Sequence, residues 1–179
     1  TPAGTVTLAW ATLPESSRPT DIIVDMNGNV YVSNSIRVSK ITPAGVLTLN
    51  WAQLGAFSVP QSLVFDSNGN LYTTNRGNNT VSKITPDGVV TQAWATLQQS
   101  NGFFDPGAGP DGIAYDPVSN SIFTANQLSK TVSKISVADS SIIQNWVTGL
   151  SGGPVSTVIS QGYLYVTDYS GGKIARIGL

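Results

Sequence analysis

Hydrophobic and polar positions recur along this chain in one order, and the recurrence predicts short β-strands. In the second copy of the pattern, Pro60 opens an apolar run, SLVFD, which predicts a buried inner strand. The turn-forming residues SNG follow, and then LYTTN and TVSKI predict a second and a third strand. After a turn led by a proline, VVTQAW predicts a fourth strand. Four short antiparallel strands are typical of one propeller blade.

Equivalent positions of each copy carry residues of the same type. A tryptophan ends each outer strand: Trp10, Trp51, Trp94 and Trp146. A proline opens each inner strand: Pro19, Pro60, Pro110 and Pro154. An amide or acid ends each second strand: Asn34, Asn75, Asn126 and Asp168. The tryptophans are 41, 43 and 52 residues apart, a period that indicates stacked units that cannot bury their faces alone.

This recurrence predicts an all-β fold, a four-bladed β-propeller that fills residues 1–179 as a single domain. We place blade 1 at about 19–51, blade 2 at about 60–94, blade 3 at about 110–146, and blade 4 at about 154–177 together with 5–10. The fourth copy lacks its own outer strand, whereas TVTLAW at 5–10 is a spare one. We expect 5–10 to pair with 173–177 and to remove two open sheet edges. Pairing within one chain is favoured over pairing between copies, because it avoids the entropy of association.

The blade pattern resembles that of a known family. The pattern that carries the resemblance is Pro-x-x-apolar-apolar-x-Asp, then Gly-Asn-apolar-Tyr, then Val-Ser-Lys-Ile-Thr-Pro-x-Gly. It is similar to the NHL-type propeller blade, in the style of the streptogramin B lyase-like repeat proteins of bacteria. The resemblance covers the whole chain and implies the propeller fold. Members of the family usually have six or seven blades, so four is a departure. A propeller fold hosts many unrelated activities, so the resemblance specifies function only weakly.

Composition narrows the possible functions. Charged residues make up 11% of the chain, against about 25% in ordinary soluble proteins, and the net charge is −1, so neither nucleic acid nor an acidic membrane surface is an expected partner. No apolar run is long enough to span a bilayer. A surface rich in Ser, Thr, Asn and Gly favours a secreted protein, and the resemblance suggests a bacterial source. The chain begins at Thr1 without an initiator Met, which we interpret as a removed leader or a cut from a longer protein.

The absence of histidine excludes the activity that the resemblance would imply. Streptogramin lyase-like proteins use a histidine base with a divalent metal, and this chain has no histidine. Lactonase-like propellers hold calcium with Glu, Asn and Asp, but Glu15 is the sole glutamate here and precedes the first inner strand. We therefore predict no catalytic residue, no metal, no cofactor and no enzymatic activity.

Candidate contact residues lie where the second strands end and in one insertion. The strand-end polar residues either ring the mouth of a central channel or cap the adjoining turns through backbone amides. Between Leu97 and Pro110 the third copy inserts QQSNGFFDPGAG, whose adjacent phenylalanines are either exposed for a partner or buried over the channel. The candidates for ligand or partner contact are Asn75, Arg76, Phe103, Phe104, Asp105, Asn126, Asp168 and Tyr169.

Three further patterns have a structural and a functional interpretation. Asp25-x-Asn27-x-Asn29 and its counterpart from Asp66 are similar to calcium loops but lack the final bidentate acid, and turn formation suffices to explain them. The tryptophans either offer platforms for sugars or pack between blades, and we favour packing. Asn78 begins an N-x-T sequon in a predicted turn and is a candidate glycosylation site.

These observations predict a non-enzymatic extracellular interaction or structural module that self-assembles into particles or filaments. Its expected partners are copies of itself, an extracellular protein or a glycan. The alternatives are a monomeric propeller that binds a ligand or carbohydrate, and a degenerate lyase-like enzyme. A binding module is expected to be a monodisperse monomer, whereas a building block is expected to form chains.

Overall fold

The computed structural model describes residues 4, 7, 9–98 and 107–179, and β-strands dominate these residues. The strands form separate antiparallel sheets, each built from strands that follow one another in the chain. The one helical element in the described ranges is a short 3-10 turn, Glu15–Ser17, so the all-β prediction is confirmed. No helix in this part of the chain is long and apolar enough to cross a membrane.

The first two blades have four strands each. Blade 1 consists of β1 to β4: Pro19–Val24, Val30–Asn34, Arg37–Ile41 and Leu47–Gln53. Blade 2 consists of β5 to β8: Pro60–Phe65, Leu71–Asn75, Thr80–Ile84 and Val90–Thr96. The predicted run of inner, second, third and outer strand is therefore present in both blades.

The last two blades differ in strand number. Blade 3 consists of β9 to β12: Pro110–Asp116, Ser121–Asn126, Thr131–Ser136 and Ile142–Val147. Among the residues that the structure describes, blade 4 has three strands, β13 to β15: Pro154–Ser160, Tyr163–Asp168 and Lys173–Gly178. Gly4, Thr7, Ala9 and Trp10 form no strand beside β15, and 5, 6 and 8 are outside the described residues. Closure of blade 4 by residues 5–10 therefore stays a prediction.

The first strand of each blade packs against the first strand of the next. Contacts join β1 to β5, β5 to β9, and β9 to β13, so these strands line the propeller axis. The approach of β9 to β13 requires a residue without a side chain, because a methyl group added at Gly112 would lie 2.7 Å from the Val155 carbonyl oxygen. The four blades thus follow one another around a common axis, as the fourfold repeat predicts.

Apolar clusters fill the three junctions between blades. At the first junction, Tyr31 and Val38 of blade 1 pack with Leu63, Leu71 and Ile84 of blade 2. The other two junctions are also filled by apolar clusters, in which several members occupy corresponding positions. Because adjacent blades bury their facing sides against each other, the hydrophobic core is divided among the junctions.

Three tryptophans pack within these clusters. The rings of Trp51 and Trp94 lie edge-on to Tyr31 and Tyr72, with centroids 4.8 Å and 4.9 Å apart. Trp146 lies 5.0 Å from Phe123. Trp10 is more exposed and lies beside the turn at Gly45 of blade 1. Packing between blades therefore accounts for Trp51, Trp94 and Trp146.

Candidate functional site

A polar cavity of about 320 Å³ lies at the end of the axis where the inner strands begin. Every blade contributes to its wall, which consists of Thr20, Asp21, Gln61, Ser62, Arg76, Asp111, Gln127, Val155 and Tyr169. Most of these residues directly follow an inner-strand proline or belong to the turn between a second and a third strand. The cavity is therefore the channel mouth at which the sequence predicts contact residues.

A bulge after each inner-strand proline turns these side chains toward the axis. The strand register shifts between Pro19 and Asp21 in blade 1 and between Pro60 and Leu63 in blade 2. The second strands hold the bulges through their hydroxyls: Ser33 Oγ accepts from the Asp21 N–H at 3.0 Å, and Thr74 Oγ1 accepts from the Ser62 N–H at 3.1 Å. A bulge re-aims side chains that a regular strand would alternate between faces.

Arg76 and Asp111 form an ion pair across the junction of blades 2 and 3. Nη1 of Arg76 lies 3.0 Å from both carboxylate oxygens of Asp111. The Asp111 side chain is 6% exposed and that of Arg76 is 35% exposed. Burial raises the pKa of Asp111, and the guanidinium opposes this effect through its charge and hydrogen bonds. The pair holds an arginine side chain in a fixed position at the cavity wall.

Asp21 performs a related role between blades 1 and 2. One of its carboxylate oxygens accepts hydrogen bonds from the Leu63 N–H at 2.7 Å and from Ser62 Oγ at 2.9 Å. Beside it, Thr20 Oγ1 donates to the Pro60 carbonyl at 2.8 Å. The carboxylate thus ties two inner strands together and borders the cavity at the same time.

Asn75 and Asn126, which the sequence marks as candidates, are buried behind the mouth. Asn75 Nδ2 donates to Thr80 Oγ1 at 3.0 Å and to Ser82 Oγ at 2.8 Å. Asn126 makes the matching pair of bonds to hydroxyls of the third strand of its own blade. Both side chains are about 1% exposed, so they connect the second and third strands of their blades and do not line the cavity.

Asp168, the fourth strand-end candidate, organises loops in blade 4. Its carboxylate accepts from Ser151 Oγ at 2.7 Å and from the backbone N–H groups of Gly152 and Gly171. The Ser151 hydrogen bond lowers the pKa of Asp168, burial opposes that change, and the two backbone donors and Lys173 add to the lowering. This carboxylate is also enclosed by its own blade.

The remaining sequence candidates have different positions. Arg76 and Tyr169 line the cavity, and Tyr169 is 77% exposed. Asn78 lies in the β6–β7 turn, where its Oδ1 accepts from Thr80 Oγ1 at 2.8 Å; glycosylation there stays a prediction. Phe103, Phe104 and Asp105 lie outside the described residues. One described end of the insertion is fixed beside this turn by a 2.7 Å hydrogen bond from the Gly109 N–H to Asn79 Oδ1.

The Asp-x-Asn-x-Asn loops lie at the other end of the inner strands. One oxygen of Asp25 accepts from the Asn27 and Asn29 N–H groups, and the other accepts from Asn29 Nδ2 and the Tyr31 hydroxyl. Burial alone would raise the pKa of Asp25, but these hydrogen bonds outweigh burial and lower it. Burial and the Asp25 carboxylate raise the pKa of Tyr31 to about 12. The loop thus engages both carboxylate oxygens of Asp25.

Asp66 has the same arrangement with Asn68, Asn70 and Tyr72. Turn formation therefore accounts for both loops. Within residues 4, 7, 9–98 and 107–179, His, Cys, Asp and Glu side chains form no group of three or more that could hold a metal ion.

The basic residue of each third strand lies over aromatic rings. Lys40 Nζ is 5.3 Å from the Tyr31 ring centre and 5.8 Å from that of Trp51. Lys83 and Lys134 make corresponding contacts in blades 2 and 3. Lys40, Tyr31 and Trp51 also border a cavity of about 600 Å³ between blades 1 and 2, together with Phe65. These cations pack on their own blades and are not part of the channel mouth.

Sequence reasoning missed most of the cavity wall. Asp21, Gln61, Asp111 and Gln127 are not among the predicted contact residues, which come from the ends of the second strands and from the insertion. A signal did exist: the residue pairs after the inner-strand prolines read Thr-Asp, Gln-Ser, Asp-Gly and Val-Ser, and they vary between copies in which most other positions repeat. Positions that differ between the copies of a regular repeat are candidates for a binding site, because the fold does not require one residue type there.

No family model matches the sequence, and no curated protein matches it. Solved structures do resemble the fold. An inactive variant of virginiamycin B lyase from Staphylococcus aureus, solved with quinupristin, aligns with a TM-score of 0.72 at 19% identity, over 94% of this chain and 58% of the lyase. An auxiliary nutrient binding protein from Bacteroides ovatus aligns with a TM-score of 0.65 at 14% identity, over 88% of this chain and 48% of that protein.

The computationally designed Ika4 protein aligns with a TM-score of 0.65 at 10% identity, over 97% of this chain and 99% of that one. At such identities these similarities show the fold alone. The predicted resemblance to streptogramin B lyase-like propellers is thereby confirmed at the level of the fold. The chain spans little more than half the length of the lyase that it matches.

Proposed function

We propose that this propeller is a non-enzymatic extracellular interaction module that assembles with copies of itself. The observation that carries the proposal is the exposure of apolar faces on blades 1 and 4. Blade 4 has no fourth strand among the described residues, and apolar side chains of blades 1 and 4 that correspond to buried junction residues are exposed. Exposed blade faces and an open sheet edge favour association, since soluble proteins seldom leave such surfaces uncovered.

The non-enzymatic part of the proposal rests on the residues of the channel mouth. The carboxylates there, Asp21 and Asp111, are engaged with neighbouring strands or with Arg76. The chain has no histidine to act as a base. We expect purified protein to leave a streptogramin B macrolactone intact, with or without added divalent metal. Chelator-sensitive turnover above the buffer control would contradict this part of the proposal.

The mass of the native particle tests assembly. We expect native mass spectrometry and sedimentation velocity to give particles heavier than the 18.7 kDa chain, with a fraction that rises with concentration. A chain that remains a monomer up to high concentration would contradict the assembly function.

Ligand binding at the channel mouth is the second candidate function. It is favoured by the fixed Arg76 guanidinium beside the amides of Gln61 and Gln127 and the exposed Tyr169 ring. Such a wall suits a polyhydroxylated ligand, because amides and a guanidinium pair with hydroxyls while an aromatic ring stacks on a sugar face.

Titration calorimetry against a panel of neutral and acidic oligosaccharides tests this candidate. Tyr169→Ala is expected to weaken binding at least tenfold. Tyr163→Ala, at the far end of the strand that precedes Tyr169, is the matched control and is expected to bind as the parent does. Equal loss in both variants, or no binding by the parent, would exclude the channel mouth as this site.

A further inference from the structure

The junctions inside the chain define the surfaces by which one blade recognises the next. The face toward the following blade carries a third-strand valine, and Val38, Val81 and Val132 at this position are all 0% exposed. In blades 2 and 3 the face toward the preceding blade carries an inner-strand aliphatic residue, and Leu63 and Ile113 are both 5% exposed; blade 4 has a threonine at this position. Each junction therefore joins two different faces that complement each other.

Blades 1 and 4 each present one of these faces without a partner among the described residues. Ile22 occupies the Leu63 position in blade 1 and is 64% exposed. Ile174 occupies the Val38 position in blade 4 and is 75% exposed, and Val158 beside it is also exposed. Among the described residues, no packing comparable to that of the three internal junctions joins β13 to β1. Blades 1 and 4 thus present the two complementary halves of a fourth junction.

Trp10 lies against blade 1 as the outer-strand tryptophan of a preceding blade would. A methyl group added at Gly88 would lie 2.8 Å from the carbonyl oxygen of Trp51, the tryptophan of the blade before it. A methyl group added at Gly45 would lie at the same 2.8 Å from the carbonyl oxygen of Trp10. Since TVTLAW at 5–10 also repeats the outer-strand pattern of VVTQAW, this stretch corresponds to the outer strand that blade 4 lacks.

We propose that the ends join between chains: blade 4 of one copy packs on blade 1 of a second copy, whose residues 5–10 add the fourth strand to β15. Two such junctions close an eight-bladed ring from two chains. This inference rests on the assembly function proposed above and names its partner, a second copy. The exposed faces of blades 1 and 4 carry the same residue types at the same blade positions as the internal junctions, so they are expected to pack together in the same way.

The number of copies in the assembly follows from the requirement that the blades form a closed ring. Head-to-tail association through unlike faces gives a ring if the rotation closes and a filament if it does not. Propellers typically have about four to eight blades. Two copies give eight blades, whereas three would exceed this range, and in one copy the end faces are exposed and apart. Two chains are therefore the closed assembly that covers both faces.

Substitutions at the two end faces test this arrangement. Ile22→Asp and Ile174→Asp each introduce a charge at one half of the junction, and because both side chains are exposed in the chain, the monomer fold is expected to persist by circular dichroism. Val118→Asp is the matched control, since Val118 is 94% exposed in a turn of blade 3 away from both faces. We expect the parent and the control to have twice the chain mass, and each end variant to self-associate at least tenfold more weakly.

Mixing the two end variants distinguishes the faces. In a mixed pair, one junction carries both substitutions and the other carries neither, so a head-to-tail dimer recovers one native junction. We expect the equimolar mixture to dimerise more strongly than either variant alone, and deletion of residues 1–10 to weaken the parent dimer.

The possible outcomes separate this inference from the assembly function. A filament, a trimer or larger ring, or a dimer that neither end variant weakens would overturn the two-chain ring while assembly itself stands. No gain on mixing would show that like faces meet, and would overturn the head-to-tail junction. A parent that stays monomeric would contradict the assembly function as well.

Discussion

Blades 3 and 4 share the same repeat pattern, yet the side chains of blade 3 are mostly buried and those of blade 4 are mostly not. Almost every residue of β9, β10 and β11 in blade 3 is buried. In blade 4, β13 and β15 alternate between exposed and half-buried residues. Blade 3 has a neighbour on each side and an outer strand, whereas in the described part of the chain blade 4 has one neighbour and no fourth strand. The difference shows that burial in this fold depends on adjacent blades more than on the sequence of a blade.

The largest expected difference in the free energy of unfolding is between substitutions of the aromatic residues that occupy the same second-strand position in blades 3 and 4. Phe123 in blade 3 is fully buried against Trp146 and blade 4, whereas Tyr165 in blade 4 has no following blade. We expect Phe123→Ala to lower the free energy of unfolding by about 3–5 kcal/mol and Tyr165→Ala by about 1 kcal/mol. Urea denaturation at a concentration where the chain is monomeric measures both. Equal losses would mean that blade position does not control stability.

A smaller difference in stability is expected between substitutions of two turn glycines that have left-handed backbone conformations. Gly88 and Gly45 have φ of 90° and 81°, and each lies against the tryptophan before it. Trp51 is fixed in β4 and packed on Tyr31, whereas Trp10 is outside any strand. We expect Gly88→Ala to cost about 2–3 kcal/mol and Gly45→Ala about 1 kcal/mol, since the second clash can relax. Thermal unfolding tests the order, and a reversed order would contradict the interior role assigned to Trp51.

Removing the ion pair between Arg76 and Asp111 tests how much charge contributes to the stability of the junction between blades 2 and 3. Arg76→Met leaves the buried Asp111 carboxylate without its cation and is expected to cost about 2 kcal/mol at neutral pH, a figure reduced for the partial exposure of Arg76. The pKa of Asp111 then rises further, so the loss should shrink as the pH falls and this group protonates. Lys130→Met, at an exposed turn of blade 3, is the control and should change stability by less than about 0.5 kcal/mol. A pH-independent loss would mean that side-chain packing, not charge, links the two blades.

The smallest expected effect concerns the residue that follows the apolar run of the inner strand. Blade 3 has Asp116 there, and blade 4 has Ser160. Burial alone would raise the pKa of Asp116, but hydrogen bonds from Ser119 and Val118 and the charge of Lys134 lower it. Its contribution is therefore present above the unfolded pKa and is lost as the pH falls through the folded value.

We expect Asp116→Ser to cost about 1 kcal/mol at pH 7 and nothing measurable once the pH is below the folded pKa, as followed by urea midpoints at a series of pH values. A difference that persists in strong acid would point to the shape of the turn and not to the carboxylate.

Local patterns sufficed to predict the blades. Proline at strand starts, SNG-type turns and apolar runs act within a few residues, so the strands Pro60–Phe65, Leu71–Asn75 and Thr80–Ile84 lie where LYTTN and its flanking runs predict them. The bulges after the prolines were not predicted. A bulge depends on the second-strand hydroxyl that holds it, such as Ser33 for Asp21, and such a pair is set by strand register.

The sequence by itself determined the repeat, the strand order and the absence of a histidine base, because each is a property of residue type and spacing. Tertiary structure decided which side chains meet. Arg76 finds Asp111 35 residues away, and Asn75 turns inward to hydroxyls while Arg76 beside it reaches the cavity. Only the stacking of blades made Leu63 a core residue and Ile22, at the same position of its own blade, a surface residue. The physical reason is that burial requires a neighbouring blade, and a repeated sequence is the same whether or not that neighbour is present.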